Sequence, residues 1–180
     1  MLTVNDTVLI VIDVQGKLAH LMHDKAEFLA NVERTVKGAQ ILEIPILWTE
    51  QAPAKLGETI PEIREPLLQS ARPIAKICFS CCGNEPFLGE LKALNRTQVL
   101  ITGLETHICV YQTVHDLLDM GYGVQVVADA VSSRAAANKQ LGLERMKEAG
   151  AMLTSTEMAL FELLRVAEGS RFKAISKLVK

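Results

Sequence analysis

Residues 99–118 read Val-Leu-Ile-Thr-Gly-Leu-Glu-Thr-His-Ile-Cys-Val-Tyr-Gln-Thr-Val-His-Asp-Leu-Leu, and this stretch decides the fold. An apolar run, Gln98–Thr102, ends at Gly103, and a helical pattern, Ile108–Met120, follows within a few residues. Strand, glycine turn and helix in close succession make half of a βαβ unit. Cys109 stands where the helix begins. A thiol there lies in the positive field of a helix N-terminus, which favours thiolate and nucleophilic chemistry. A free cysteine is equally at home as a small core residue, so the segment by itself supports both roles.

The same alternation runs through the rest of the chain. Val8–Val14, Ile46–Glu50, Ile74–Cys78, Val124–Ala128 and Ala151–Thr154 are further strand candidates. Val8–Val14 is almost wholly Val, Leu and Ile, the composition of a strand covered on both faces. Helical patterns occupy Ala26–Leu42, Asn84–Leu94, Asn138–Ala149, Glu157–Ala167 and Phe172–Val179. Gly121 and Gly150 supply helix stops, and Asn5-Asp6 and Asn95-Arg96 read as turns. This order predicts one α/β domain over residues 1–180: a three-layer α/β/α, doubly wound fold. Its six-stranded, mainly parallel sheet is expected in the order 3-2-1-4-5-6. The irregular stretch Gln51–Arg72 holds Pro53, Gly57, Pro61 and Pro66. It is either a functional loop or a surface excursion containing a short helix.

Bulk properties narrow the function. At 180 residues, 49% hydrophobic and 22% charged, the chain can bury a full core and is not of disordered composition. A net charge of -2 without a polybasic block argues against nucleic acid and anionic membrane surfaces as partners. The longest apolar run falls far short of the roughly 20 residues that span a bilayer. No secretion signal is legible. Four cysteines are too few for a disulfide scaffold of this length, so reduced thiols and a cytoplasmic location are expected.

Chemistry in open α/β sheets gathers beyond the carboxyl ends of the strands. Three reactive side chains fall there. Asp13 closes the first strand inside an apolar run, where a carboxylate needs a cation, a hydrogen-bond set or a task. Lys76 lies near the end of the third strand, and Cys109 follows the fourth. Each has a plain account: a turn former, an edge-strand charge, a core thiol. Their coincidence at one sheet edge points instead to an acid, an amine and a nucleophile acting together.

At this point the sequence resembles the isochorismatase-like cysteine hydrolases. The matching pieces are Asp13-Val14-Gln15, Thr49-Glu50-Gln51 through Leu56-Gly57, Lys76 before Phe79-Ser80, Gly103 through Cys109, and Asp129 through Arg134. They occur in family order over nearly the whole chain. The Thr49-Glu50-Gln51 piece and the Phe172–Leu178 tail are similar to the isochorismatase domain-containing branch. The resemblance implies a triad of Asp13, Lys76 and Cys109. Asp13 is expected to take the thiol proton, aided by Lys76, and Cys109 to attack an amide-type carbonyl and form a thioester. It also implies an oxyanion hole from the backbone N–H groups of Glu105 and Cys109, a cis peptide between Leu104 and Glu105, and homo-oligomerisation. Gln15, Gln51, Phe79 and Thr106 are the expected pocket residues for a small-molecule substrate. Metal-dependent nicotinamidases of the family carry an Asp/His cluster after strand 2. Here that stretch reads Trp48-Thr49-Glu50-Gln51-Ala52, so neither a catalytic metal nor a cofactor is expected.

Other readings of the same residues are weaker. His107 lies two residues from Cys109, and helix positions two apart do not face each other. His20 and His23 lack further ligands in a metal-binding pattern. Cys78 and Cys81 form a Cys-x-x-Cys beside Cys82, without the second ligand pair of a zinc site; these three read as mainly structural. Asp129–Arg134 reads as a capped turn suited to a subunit contact, and the lysine-bearing tail as a docking helix. Two alternative functions stand beside the amidase-like one. The first is an idle binding or scaffolding protein on this fold. The second is an isochorismatase-type vinyl ether hydrolase, which does not need the thiol that Cys109 supplies.

Overall fold

The sheet is built outward from β1 (Thr7–Ile12), in a computed structural model that describes residues Met1–Lys180. β1 lies between β2 (Ile46–Gln51) and β4 (Gln98–Leu104); β3 (Pro73–Lys76) forms one edge, and β5 (Gly123–Ser132) and β6 (Met152–Thr154) complete the other side. All five ladders are parallel, and the strand order is β3-β2-β1-β4-β5-β6. Every residue of β1 is buried, as a strand packed on both faces requires. Its alternation divides the core. Val8, Ile10 and Ile12 join one layer with α5 (Glu85–Ala93), α6 (Tyr111–Asp119) and α7 (Ala136–Glu148). Leu9 and Val11 join the opposite layer with α2 (Lys25–Ile41), α8 (Thr156–Leu164) and α9 (Gly169–Leu178).

Several boundaries differ from the sequence reading, each for a local reason. β1 stops at Ile12 because Asp13 adopts a left-handed φ of 53°. β3 ends at Lys76 because the following carbonyls turn inward, as described below. β5 runs on to Ser132 through a register shift opposite Ile101 and Gly103. Asp129 therefore lies inside a strand and not in a turn, and its carboxylate accepts the Thr156 N–H and hydroxyl at 2.8 and 3.0 Å at the start of α8.

The irregular stretch after β2 contains α3 (Pro53–Leu56) and α4 (Pro61–Leu67), both opened by proline. Another short helix, α1 (Gly16–Ala19), follows β1. The helix expected at Ile108–Met120 is instead a π turn, Thr106–Val110, followed by α6. At Gly103 (φ 122°) a Cβ would sit 2.1 Å from the Ile12 carbonyl oxygen, so only glycine lets β4 lie this close to the end of β1.

Candidate active site

Three neighbouring strand ends meet at one buried ion pair. Lys76 Nζ donates to Asp13 Oδ2 at 2.6 Å, with both side chains almost wholly out of solvent. Lys76 starts on the edge strand and Asp13 follows the central one, so the lysine spans β2, a lateral distance of about 10 Å. The four-carbon stem covers this span because Lys76 points into the same layer as Ile74 and lies opposite Gln51 in the ladder.

The ammonium is surrounded by acceptors. Besides Asp13 it meets Gln51 Oε1 at 2.7 Å, Phe79 O at 3.0 Å and Cys78 O at 3.2 Å. Ile77 O accepts from Gln51 Nε2 at 2.5 Å. Three successive carbonyls, 77 to 79, thus face inward, and the side chains of Ile77 and Phe79 stand in solvent. Asp13 is fixed from its other oxygen: Thr49 Oγ donates to Oδ1 at 2.9 Å. Thr49 is the β2 residue paired with Ile12, immediately before Asp13.

Cys109 is buried in the π turn at the C-terminal end of β4, where the charges of both Asp13 and Lys76 act on its thiol. Burial pushes its thiol pKa up; the Asp13 charge adds to this and Lys76 opposes it. The net result corrects the simple helix-terminus expectation: Cys109 rests as a thiol, well above the ordinary range. Burial also lifts Asp13 above its usual value, against the pull of Lys76 and of its hydrogen bonds. Burial would lower Lys76, but the charges of Asp13, Cys81 and Cys109 outweigh it and keep the ammonium charged. The resting site is therefore a thiol, a carboxylate of enhanced basicity and a held cation. A stronger base next to a neutral nucleophile suits proton transfer at the moment of attack.

The turn before Cys109 has its own pattern. The Leu104–Glu105 peptide is cis, at the bond where the resemblance placed one. The Glu105 carbonyl accepts from the Ile108 and Val110 N–H groups at 3.0 and 3.3 Å, whereas the Glu105 N–H donates to nothing within the chain. The Glu105 carboxylate turns away to Arg134 Nε at 3.0 Å. Thr106 is fully buried, and its hydroxyl has no hydrogen-bond partner. His107 Nδ1 lies 2.9 Å from Ser133 Oγ at the end of β5.

The other expected pocket residues divide. Phe79 is on the rim. Gln51 touches the lysine. Gln15 is fully buried: its Nε2 donates to Gln51 O at 2.9 Å and Gly57 O at 2.7 Å, and its Oε1 accepts from Gln51 N at 2.6 Å. Its amide pins the loop after β2, with both Nε2 protons committed to main-chain carbonyls.

Sequence reasoning assigned no role to Thr49 or Thr113 and read Cys81 as mainly structural. Thr49 was legible as a polar residue in a buried apolar run. Cys81 Sγ lies 3.7 Å from Thr49 Oγ, and the Cys81 N–H donates to Thr113 Oγ at 3.0 Å. Thr113 in turn donates to the Cys109 carbonyl at 2.7 Å. Nothing in the Cys-x-x-Cys spacing announces this shelf beneath Asp13 and Cys109, because it depends on α6 packing over the turn that carries Cys81. All four cysteines are free thiols.

Comparisons with known proteins agree with this fold. The isochorismatase domain matches residues 7–158. The secreted isochorismatase effector Isc1 of Phytophthora sojae is 38% identical over 181 residues, covering 98% of this chain and 85% of its own. Human isochorismatase domain-containing protein 2 is 38% identical over 176 residues, covering 97% and 83%. Among solved structures, the MAR1 ribonuclease of Caenorhabditis elegans superposes with a TM-score of 0.91 at 36% identity, covering 99% of this chain and 91% of that one. Pseudomonas aeruginosa YcaC, determined with hexane-2,5-diol and covalent acrylamide, gives 0.92 at 27% identity, covering 98% and 90%. The Escherichia coli YcaC gene product, described as an octameric hydrolase of unknown specificity, gives 0.92 at 25%, covering 98% and 88%. Matched by the domain over most of its length and by relatives at 38% identity over nearly all of it, the chain belongs to the isochorismatase domain family.

Proposed function

We propose that the protein is a cysteine hydrolase that cleaves a small amide-like C–N bond. The observation that carries this reading is the buried Lys76–Asp13 ion pair, 2.6 Å long, coupled to the Cys109 thiol. Asp13 takes the thiol proton as Cys109 Sγ attacks the substrate carbonyl. The carbonyl oxygen becomes an oxyanion, received by the unengaged Glu105 N–H and by the Cys109 N–H of the π turn that leads into α6. Asp13 then gives the proton to the departing amine, the C–N bond breaks, and a thioester remains. Water, deprotonated by Asp13, attacks the thioester and releases the acid and the thiol. Lys76 stays an ammonium throughout and balances whichever partner is negative. Covalent acrylamide on the P. aeruginosa relative supports a reactive nucleophile on this fold. The octamer described for the E. coli relative supports a homo-oligomer here, which sedimentation of the purified protein will test.

A second reading comes from the nematode relative, named a ribonuclease at 36% identity. Phosphodiester cleavage calls for cations facing the phosphate. Here the site lysine is enclosed by its four acceptors and the chain is net acidic, so amide chemistry is favoured. One experiment separates the readings. A panel of small amides is screened for ammonia or amine release beside a single-stranded RNA, with Cys109→Ala as control. Amide turnover that Cys109→Ala abolishes supports the proposal. RNA cleavage that survives Cys109→Ala, with no amide turnover, overturns it. A protein inert on the panel whose Cys109 reacts with iodoacetamide no faster than free cysteine is a scaffold and not an enzyme.

A further inference from the structure

The Lys76 ammonium has three protons and four oxygens within hydrogen-bond reach, and of these only Asp13 Oδ2 carries charge. When Asp13 accepts the thiol proton, that charge disappears. The ammonium must then remain in place, facing the new thiolate, on neutral acceptors alone. Gln51 Oε1 at 2.7 Å is nearer than Phe79 O at 3.0 Å or Cys78 O at 3.2 Å, and it is the only neutral acceptor carried on a side chain.

The Gln51 amide is oriented for this task. Its Nε2 is committed to Ile77 O at 2.5 Å, which leaves Oε1 directed at Nζ. Its main-chain N–H is held by Gln15 Oε1 at 2.6 Å, and the next residue, Ala52, donates to the Lys76 carbonyl at 2.8 Å. β2 and β3 pair Gln51 with Lys76 in register, so acceptor and donor are tied at main chain and side chain together. The titratable groups around the ammonium are Asp13 from the end of β1, Cys109 from the π turn and Cys81 from the turn after β3. Glu50, the neighbouring charge on β2, is engaged elsewhere, accepting the Thr59 N–H at 2.7 Å.

We propose that Gln51 is a positioning residue of the hydrolase reaction: it holds the Lys76 ammonium in place during the interval when Asp13 carries the thiol proton. The inference rests on the cysteine hydrolase reading. It deepens that reading by giving the end of β2 a part in the chemistry through Gln51, with Gln15 holding its main chain.

The test isolates that interval. Asp13→Asn replaces the carboxylate with a neutral side chain of the same shape, standing in for the proton-bearing acid. The pH dependence of Cys109 alkylation by iodoacetamide is measured by peptide mapping in full-length Asp13→Asn protein. The measurement is repeated with Gln51→Met, Gln51→Asn or Lys76→Met added. The expected result is that both Gln51 substitutions raise the alkylation midpoint by about one pH unit, a tenfold loss of thiolate at fixed pH. Lys76→Met should raise it further. Simple loosening of the loop changes the rate at every pH and leaves the midpoint where it was. If Gln51→Met fails to fold, the polar Gln51→Asn carries the test. Midpoints unmoved by either Gln51 change but moved by Lys76→Met overturn the role of Gln51 and leave the hydrolase reading standing. Midpoints that ignore Lys76→Met as well overturn both.

Discussion

Asp13 is gripped by a cation on one oxygen and a hydroxyl on the other, and the two contacts act on different things. Thr49 fixes its orientation, whereas Lys76 offsets its charge. Its own negative charge is among the causes that keep the Cys109 proton in place. Asp13→Asn should therefore have two opposite effects. Turnover should fall by about 10²–10⁴-fold, the usual worth of a positioned general base. Alkylation of Cys109 at neutral pH should become faster, because the repelling charge has gone and Lys76 still faces the sulfur. Parallel loss of turnover and alkylation would contradict this account of the site. Lys76→Met should slow both, since it leaves an uncompensated buried carboxylate beside the thiol. At this scale the sequence was informative wherever a polar residue interrupted an apolar run, as at Asp13 and Lys76. It was silent where a role depends on main-chain groups, as with the carbonyls that turn inward around Nζ and those that Gln15 pins.

The elements around the site owe their positions to a few main-chain constraints. Gln15 pins the loop after β2 by three hydrogen bonds, two to carbonyls and one from an N–H. Gln15→Leu leaves those groups orphaned. It should cost about 1–3 kcal/mol in urea unfolding and open residues 53–57 to proteolysis before the rest of the chain. Gly103 sits at φ 122°, and a Cβ there would come within 2.1 Å of the Ile12 carbonyl. Gly103→Ala should lower stability by about 3 kcal/mol or more, from backbone strain and forced displacement of β1 from β4. A shift in the urea midpoint with unchanged slope would measure it. The long strands and helices were legible from periodicity, because burial of a face imposes it. α1, α3 and α4 were not, since helices of four to seven residues contain too few turns to show a pattern. The π turn was invisible for a related reason: its residues fit an ordinary helix, and the wider turn arises where β4 delivers the chain to α6.

For the molecule as a whole, the strand order followed from strict strand–helix alternation and right-handed crossover, so the topology was readable before any side-chain contact was known. What alternation cannot supply is depth. It does not show that an edge-strand lysine is fully buried or that Cys81 and Cys82 lie inside the same layer as the site. That burial has a global consequence. Burial first of all pushes the thiols of Cys81 and Cys82 up to about 11 and about 12, from 9.0. Lys76 is also raised. All three hold their protons in the folded state at pH values where the unfolded chain has begun to release its own. Their contribution is therefore intact below about pH 9 and declines as pH rises through the folded values, by up to about 1.4 kcal/mol per unit for a fully buried group. The melting temperature should fall across the alkaline limb, and Cys81→Ser should flatten that fall. An alkaline limb equally steep in both proteins would assign the loss to other groups. The inward carbonyls of residues 77 to 79 carry one more implication. Two of the four acceptors around Lys76, the Cys78 and Phe79 carbonyls, are oxygens that every amino acid possesses, while the side chains at Ile77 and Phe79 face outward at the rim. Mutation can rewrite those side chains without removing either carbonyl, so this edge is free to vary while the grip on the buried ammonium is inherited unchanged.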